Sequence, residues 1–449
     1  MKPVASWLAG ITGVVLGSHA WAATSPPVQP MTLPELTALA MHNNPQTTAA
    51  WSAIAQSQAA ERIARAAWWP TLTLNYSAQR SRSLSSSGQE TTIQKRYGPS
   101  LSLSYLLLDF GSRGGAIDQV AAQTLASQYN LNQTLQDLAL TVESNYYTVI
   151  GNAALVDANQ QALDEAKANL DAAQIRHTAG LATIADVYQA QSAQASAQLT
   201  LQQSQGQLRV ARGALATSAG YQPDMKLQLA DWDPQASEIE MPTLSLDQLL
   251  ARAREARPEL LAAQASEQAA AGAVREARGK ALPALTMTGS IGRTTVASRG
   301  TGDPFSLGAT LSMPLFQGFA LRSAIQGARA ALDNAHASTD SLRLDVEQQV
   351  WTAYQNLQTA YGNVDASQVQ LESAQRAADA IRARYKSGLS SILEVLTTES
   401  ALAQARVARI QSYLNWYLAL ATLAHDAGGL PGANPDGPTA PPATPGVTP

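Results

Sequence analysis

Gly180-Leu181-Ala182-Thr183-Ile184-Ala185-Asp186-Val187 returns 208 residues later as Gly388-Leu389-Ser390-Ser391-Ile392-Leu393-Glu394-Val395. Both stretches read as the same helical turn. Gly180 and Gly388 can take the left-handed conformation that ends a helix without steric cost. Thr183 and Ser391 are each followed three residues later by a carboxylate, Asp186 and Glu394. That is the capping box that opens a new helix. Each half of the chain therefore carries a tight helical hairpin.

The helices entering these turns are long. From about residue 113 to 179 there is no proline, and the glycines are Gly114, Gly115 and Gly151. Unbroken, that stretch would run to about 100 Å. Leu131, Leu135, Leu138, Val142, Tyr146 and Val149 recur at steps of three and four, and Val346, Val350, Tyr354 and Leu357 keep the seam in the second copy. On the returning helix Val187, Leu201, Leu208 and Leu215 fall on a sevenfold grid. Such a seam suits helices packed side by side as a coiled coil.

The repeat extends towards the N-terminal side of each half. Thr32-Leu33-Pro34-Glu35-Leu36 is echoed by Ser245-Leu246-Asp247-Gln248-Leu249, a shift of 213, which also carries Asn44-Pro45 onto Arg257-Pro258 and Pro70 onto Pro283. The change from 213 to 208 falls after Pro70 and Pro283, where loops absorb insertions. Each half reads as helix, two strands, very long helix, turn, long helix.

The strands are read from alternation. Leu72, Leu74, Tyr76 and Ala78, then Leu101, Leu103, Tyr105 and Leu107, stand at every second position. A polar, serine-rich stretch from residue 80 to 94 separates the two runs. The second half answers with Leu285, Met287 and Ile291, then Leu307, Leu311, Met313 and Leu315. A period of two means one oily face and one wet face. Such strands, about ten residues long, fit a tilted span in an outer-membrane barrel. Leu103 and Leu311 are expected near mid-strand on the oily face. Trp68 and Trp69 read either as an aromatic girdle at the first strand or as helix-packing aromatics.

At the N-terminus Lys2, the apolar run 7–16 and Ala20-Trp21-Ala22 predict a signal peptide over residues 1–22. Residues 23–220 read as the first repeat, 221–243 as a linker, 244–428 as the second repeat, and 429–449 as a disordered Pro-rich tail. The chain has 449 residues, net charge −4 and no cysteine. Disulfides, zinc-thiolate sites, thiol catalysis and a lipidated N-terminal cysteine are thereby excluded. The charge balance does not favour a nucleic-acid partner.

Catalytic signals are absent. The five histidines are scattered, and no H-E-x-x-H, nucleotide-binding glycine loop or nucleophile elbow occurs. Residues 111–115, glycine-rich, read as a bend between strand and long helix rather than a phosphate cradle. The chain is expected to be no enzyme and to need no cofactor or metal.

From residue 31 to 428 the chain resembles the TolC-type outer-membrane efflux family. The carriers are the duplicated half, Asn44-Pro45 and Arg257-Pro258, Pro314-Leu315-Phe316-Gln317-Gly318 and Tyr385-Lys386-Ser387-Gly388. The resemblance implies a mainly α chain with a transmembrane β-barrel, three protomers giving four strands each to one 12-stranded barrel on an α-helical tunnel. It implies an equatorial region built from the linker and the C-terminal segment. It implies an outer-membrane channel subunit of a tripartite efflux or type I secretion system, with its helical part in the periplasm. Its partners would be a periplasmic adaptor and an inner-membrane transporter of RND, ABC or MFS type. The periplasmic gate maps onto Asp186, Tyr385, Ser390, Glu394 and Thr397, with Gly180 and Gly388 at the hairpin turns. Asp186 and Tyr385 match the family; Ser390 stands where relatives carry arginine, and Thr397 where they carry an acid. Tyr385 is then the expected bonding partner for the carboxylates, which rings of three would set against one another. The rival readings are a periplasmic adaptor, which has one hairpin rather than two, and a soluble coiled-coil scaffold.

Overall fold

The structure is a computed structural model that describes residues 30–82, 93–230, 239, 241, 244–297 and 300–429. The signal-peptide and tail expectations, most of the serine-rich stretch and much of the linker lie outside the described residues.

Element order repeats. The first half runs α1 Leu33–Asn43, α2 Pro45–Ala66, β1 Thr71–Ser81, β2 Gln94–Leu108, α3 Ser112–Thr178 and α4 Ile184–Ser218. The second runs α5 Leu246–Ala256, α6 Pro258–Gly279, β3 Ala284–Gly292, β4 Thr294–Val296, β5 Gly300–Gly302, β6 Phe305–Ser312, α7 Ala320–Lys386 and α8 Ile392–Asp426. Two expectations are corrected. Asn44-Pro45 and Arg257-Pro258 break the first helix of each half into two, because proline has no N–H to continue the ladder and holds the residue before it extended. Asn44 and Arg257 accordingly have ψ of 129° and 121°. The second half also adds the short β4–β5 pair beyond β3, Thr294-Thr295-Val296 against Gly300-Thr301-Gly302, with no apolar alternation to reveal it.

Helices α3 and α7 are 67 residues each, about 100 Å. The expected seams are buried at most positions, while Leu135, Tyr354, Val187 and Leu208 are half-buried. Leu36, Ala40, Leu138, Val142, Val149 and Leu215 form one core, and Leu249, Ala253, Val346, Val350, Leu357 and Leu423 form the other. The second set is the first moved by 213 or 208, so the duplication is conserved in packing as well as in order. No helix among the described residues is long and apolar enough to cross a membrane.

The four main strands form one antiparallel sheet, β1-β2-β3-β6, with β4–β5 attached beyond β2. Its register sorts the side chains cleanly. Leu72, Leu103, Gly289 and Leu307 lie in one cross-strand row, and Leu74, Leu101, Ile291 and Phe305 in the next. The opposite face carries Thr73, Ser102, Ser290 and Ser306 in one such row. Leu72, Leu74, Ile291, Phe305 and Leu307 are all exposed in the single chain. Leu311 is not at mid-strand as expected. It pairs with Leu285 one residue before β6 ends, and Leu307 holds the row of Leu103. Met313 and Leu315 lie beyond the strand.

Strand and long helix join through a tight corner. Phe110 and Gly111 take φ of 50° and 94°, and Gly318 and Phe319 repeat this at 57° and 68°. Arg113, buried, ties the first corner. Its backbone N–H donates to Asp109 Oδ2 at 2.5 Å, its guanidinium donates to the Leu106 carbonyl at 2.6 Å, and it lies 4.2 Å over the Trp68 ring. Gly115 lies so close to α6 that a Cβ there would meet Glu276 N at 2.3 Å. Residues 111–115 thus serve the bend, as their position suggested. Trp68 is held by Arg113, while Trp69 is mostly exposed.

Candidate functional site

At the end opposite the sheet, both hairpins close as the capping chemistry requires. Gly180 and Gly388 adopt φ of 75° and 77°. Thr183 N donates to Asp186 Oδ2 at 2.8 Å, and Asp186 N donates back to Thr183 Oγ1 at 3.3 Å. In the second hairpin Glu394 N donates to Ser391 Oγ at 3.3 Å, while Ser390 Oγ donates to Glu394 Oε2 at 2.7 Å. The hydroxyl of Ser390 does the most to hold the Glu394 carboxyl below the usual carboxylate range, with Ser391 adding to it. Ser390 therefore serves the local cap. Thr397 spends its hydroxyl on the Leu393 carbonyl at 2.8 Å.

Tyr385 differs from the expectation. It is 7% exposed, packed with Ile392 and Val395, and its hydroxyl has no hydrogen-bond partner in the chain. It therefore donates to neither carboxylate within one chain. Burial pushes its hydroxyl pKa up; Arg176 opposes this and Asp186 adds to it. The contact that holds it comes from α3. Arg176 lies 4.7 Å over the ring and donates to the Tyr385 carbonyl at 2.7 Å.

Arg176 was missed from sequence, although a signal existed. It stands four residues before Gly180, as Arg384 stands four before Gly388. Further from the tip a second cluster went unread, because its members are distant in sequence. Glu165 of α3 accepts two bonds from Arg406 of α8, each 3.0 Å, and pairs with Arg382 of α7 at 3.1 Å. Arg382 also bonds Glu399. Beside this cluster lies a cleft of about 430 Å³ between α3, α4 and α8. Charge-assisted bonds of this kind fix the two hairpins against each other. Among the described residues no group of histidine and acidic side chains is arranged to hold a metal.

The outer membrane efflux protein family matches residues 36–221 and 249–429, one match for each repeat. The chain belongs to that family. This outer membrane efflux protein is 29% identical over 413 residues to the pyoverdine export outer membrane protein OpmQ of Pseudomonas aeruginosa, covering 86% of this chain and 85% of OpmQ. It is 30% identical over 298 residues to protein CyaE of Bordetella pertussis, covering 65% of this chain but only 62% of CyaE. Among solved structures the outer-membrane channel OprN superposes with a TM-score of 0.81 at 21% identity, covering 88% of this chain and 90% of OprN. The CmeC outer membrane channel of Campylobacter jejuni gives 0.80 at 18% identity, covering 88% and 85%. These likenesses are of fold. The family membership sets the efflux protein in the outer membrane, with its long helices reaching away from it.

Proposed function

We propose that this chain is the channel subunit of a tripartite efflux or type I secretion system, a passive conduit formed by three copies. The observation that carries the reading is the sheet. One face is largely apolar and exposed, the other is mostly hydroxyl, amide and glycine, and the β1 and β6 edges are unpaired among the described residues. A sheet with open edges cannot sit in lipid, where each unpaired backbone group costs several kcal/mol. Closure removes both edges, turns the leucine face to lipid and leaves serine and threonine around a wet lumen. Three copies of four strands give the 12-stranded barrel that the family resemblance implies.

The long helices then extend the lumen through the periplasm. Their tips meet a periplasmic adaptor and, through it, an inner-membrane transporter of RND, ABC or MFS type. The adaptor and scaffold readings lose to family membership and to the amphipathic sheet. Purified protein added to a planar bilayer should give discrete conductance steps, and unheated samples should migrate as trimers that dissociate on boiling. Stable monomers without conductance would refute the reading.

A further inference from the structure

The strand ends that point away from the long helices carry an excess of charge. Residues 79–97 hold Arg80, Arg82, Lys95 and Arg96 against Glu90 alone, and residues 292–304 hold Arg293 and Arg299 against Asp303. The chain as a whole has a net charge of −4, so this end is basic against the trend. The register decides where two of these cations stand. Arg80 faces Lys95 directly, in the same alternating series as Leu72 with Leu103, Leu74 with Leu101 and Ala78 with Tyr97. Both therefore stand on the apolar face of the sheet, one row beyond Ala78 and Tyr97, and both are exposed.

Like charges directly opposite each other on one face destabilise a strand pair, so the arrangement does not serve the sheet. Among the described residues neither side chain has an ion-pair or hydrogen-bond partner. The second half shows the contrast. Arg293, whose backbone N–H donates to the Pro99 carbonyl, is answered within the sheet by Asp303. Its Nε donates to Asp303 Oδ1 at 2.8 Å and its Nη2 to Oδ2 at 3.2 Å. One cation on this face is neutralised inside the chain, and the Arg80–Lys95 pair is left for something outside it.

Height identifies what lies outside. From Leu108 to Tyr97 the strand β2 climbs roughly 25 Å along the membrane normal at the usual tilt, which is the height of the apolar band of an outer-membrane barrel. Tyr76 and Tyr97, 71% and 44% exposed, then lie where an aromatic girdle marks the water interface. Arg80 and Lys95 come about 5 Å higher and face outward, into the headgroup layer. Their methylene stems can lie along Ala78 and Tyr97 while the charged ends reach up.

We propose that Arg80 and Lys95 together hold a phosphate of a glycolipid headgroup in the outer leaflet of the outer membrane. The inference rests on the closed barrel proposed above, which sets this face against lipid. A guanidinium offers two parallel donors to phosphate oxygens, and an ammonium adds a point charge. A phosphate monoester on a sugar carries close to two negative charges at neutral pH and neutralises both cations at once. The phosphodiester of an ordinary phospholipid carries one, and leaves the pair with an excess.

Native mass spectrometry of the full-length trimer released from detergent reads bound lipid directly. The unaltered trimer should retain added bisphosphorylated lipid A, and Arg80→Gln/Lys95→Gln should retain at least several-fold less. Arg80→Lys/Lys95→Arg, which keeps both charges, should retain it as the unaltered chain does. Arg293→Gln/Asp303→Asn, which removes the pair already neutralised, should change nothing. Dephosphorylated lipid A and phosphatidylglycerol should each be held several-fold less than the bisphosphorylated form. Should the double glutamine variant assemble poorly, either single substitution, which lifts the repulsion, tests the same contact. Equal retention by the glutamine variants, or equal retention of phosphatidylglycerol, overturns the inference and leaves the channel standing. Absence of trimers even in the unaltered chain overturns the channel reading itself.

Discussion

Arg257 Nη1 lies 3.0 Å from Asp426 Oδ1, at the place where the first half has Asn44 Nδ2 donating to the Ser218 carbonyl at 3.0 Å. The two contacts are repeat counterparts. Each ties the kink between two short helices to the end of the returning helix, once with neutral groups and once with a buried ion pair. Arg257 is 3% exposed and also bonds Glu259 and Gln349. Taking one partner from a buried pair leaves an uncompensated charge, at about 3–5 kcal/mol. Arg257→Met should therefore lower the unfolding midpoint of the purified protein markedly. Arg257→Asn with Asp426→Ser, which copies the first half, should recover most of the loss. A wild-type midpoint for Arg257→Met would show that the pair contributes nothing.

His425 extends that network and makes it sensitive to pH. Its Nδ1 lies 2.9 Å from Asp426 and its Nε2 lies 2.8 Å from Asp137. The Asp426 bond raises the pKa most, burial opposes, and Asp137 adds. A histidine pKa raised in the folded state stabilises fully below the unfolded value near 6.5, and the contribution is lost as pH rises through the folded value. The melting temperature should fall as pH rises above about 6.5. His425→Gln should remove that part of the slope, and an unchanged slope would assign it to other groups.

On the sheet, the cross-strand row Leu72, Leu103, Gly289, Leu307 defines the test of the lipid face. Arginine at Leu103 or Leu307 should cost roughly 2–4 kcal/mol per copy if that row lies near mid-bilayer. Three copies multiply the effect into a severe loss of trimer from outer-membrane fractions. Thr288→Arg, on the hydroxyl face, should be tolerated far better. Equal levels of all three variants would mean that the leucine face does not meet lipid.

Legibility in the sequence followed the range of the interaction. The turns at Gly180 and Gly388 were readable because a cap is chemistry within four residues, and the geometry of both is as expected. The seam through Val142 and Val350 was readable because helical period survives over long distances. By contrast β4 and β5 are three residues each, too short for alternation to register. The placement of Leu311 failed because alternation gives a face and not a strand's end. Arg176 over Tyr385, and Glu165 between Arg382 and Arg406, join residues more than two hundred apart. Spacing holds no trace of such pairs except through the repeat.

The last prediction concerns the tip, where Arg176 rather than a carboxylate is the contact that Tyr385 makes across the hairpins. Tyr385 offers its ring and carbonyl, and Arg176 engages both. Arg176→Gln removes the cation–π contact and weakens the grip on the carbonyl, so resting conductance in planar bilayers should rise. Tyr385→Phe keeps ring and carbonyl and deletes only a hydroxyl that has no partner within the chain. It should leave conductance near the parental value unless a neighbouring copy supplies an acceptor. Glu394 is the exposed carboxylate held ionised by Ser390 and Ser391. Three copies at a narrow mouth would form an acidic ring that draws cations. Glu394→Gln keeps the capping box, since glutamine serves it as well. That variant should assemble normally and lose cation selectivity. If selectivity is unchanged, Glu394 caps its helix and has no part in conduction; if assembly fails, the cap depends on the charge.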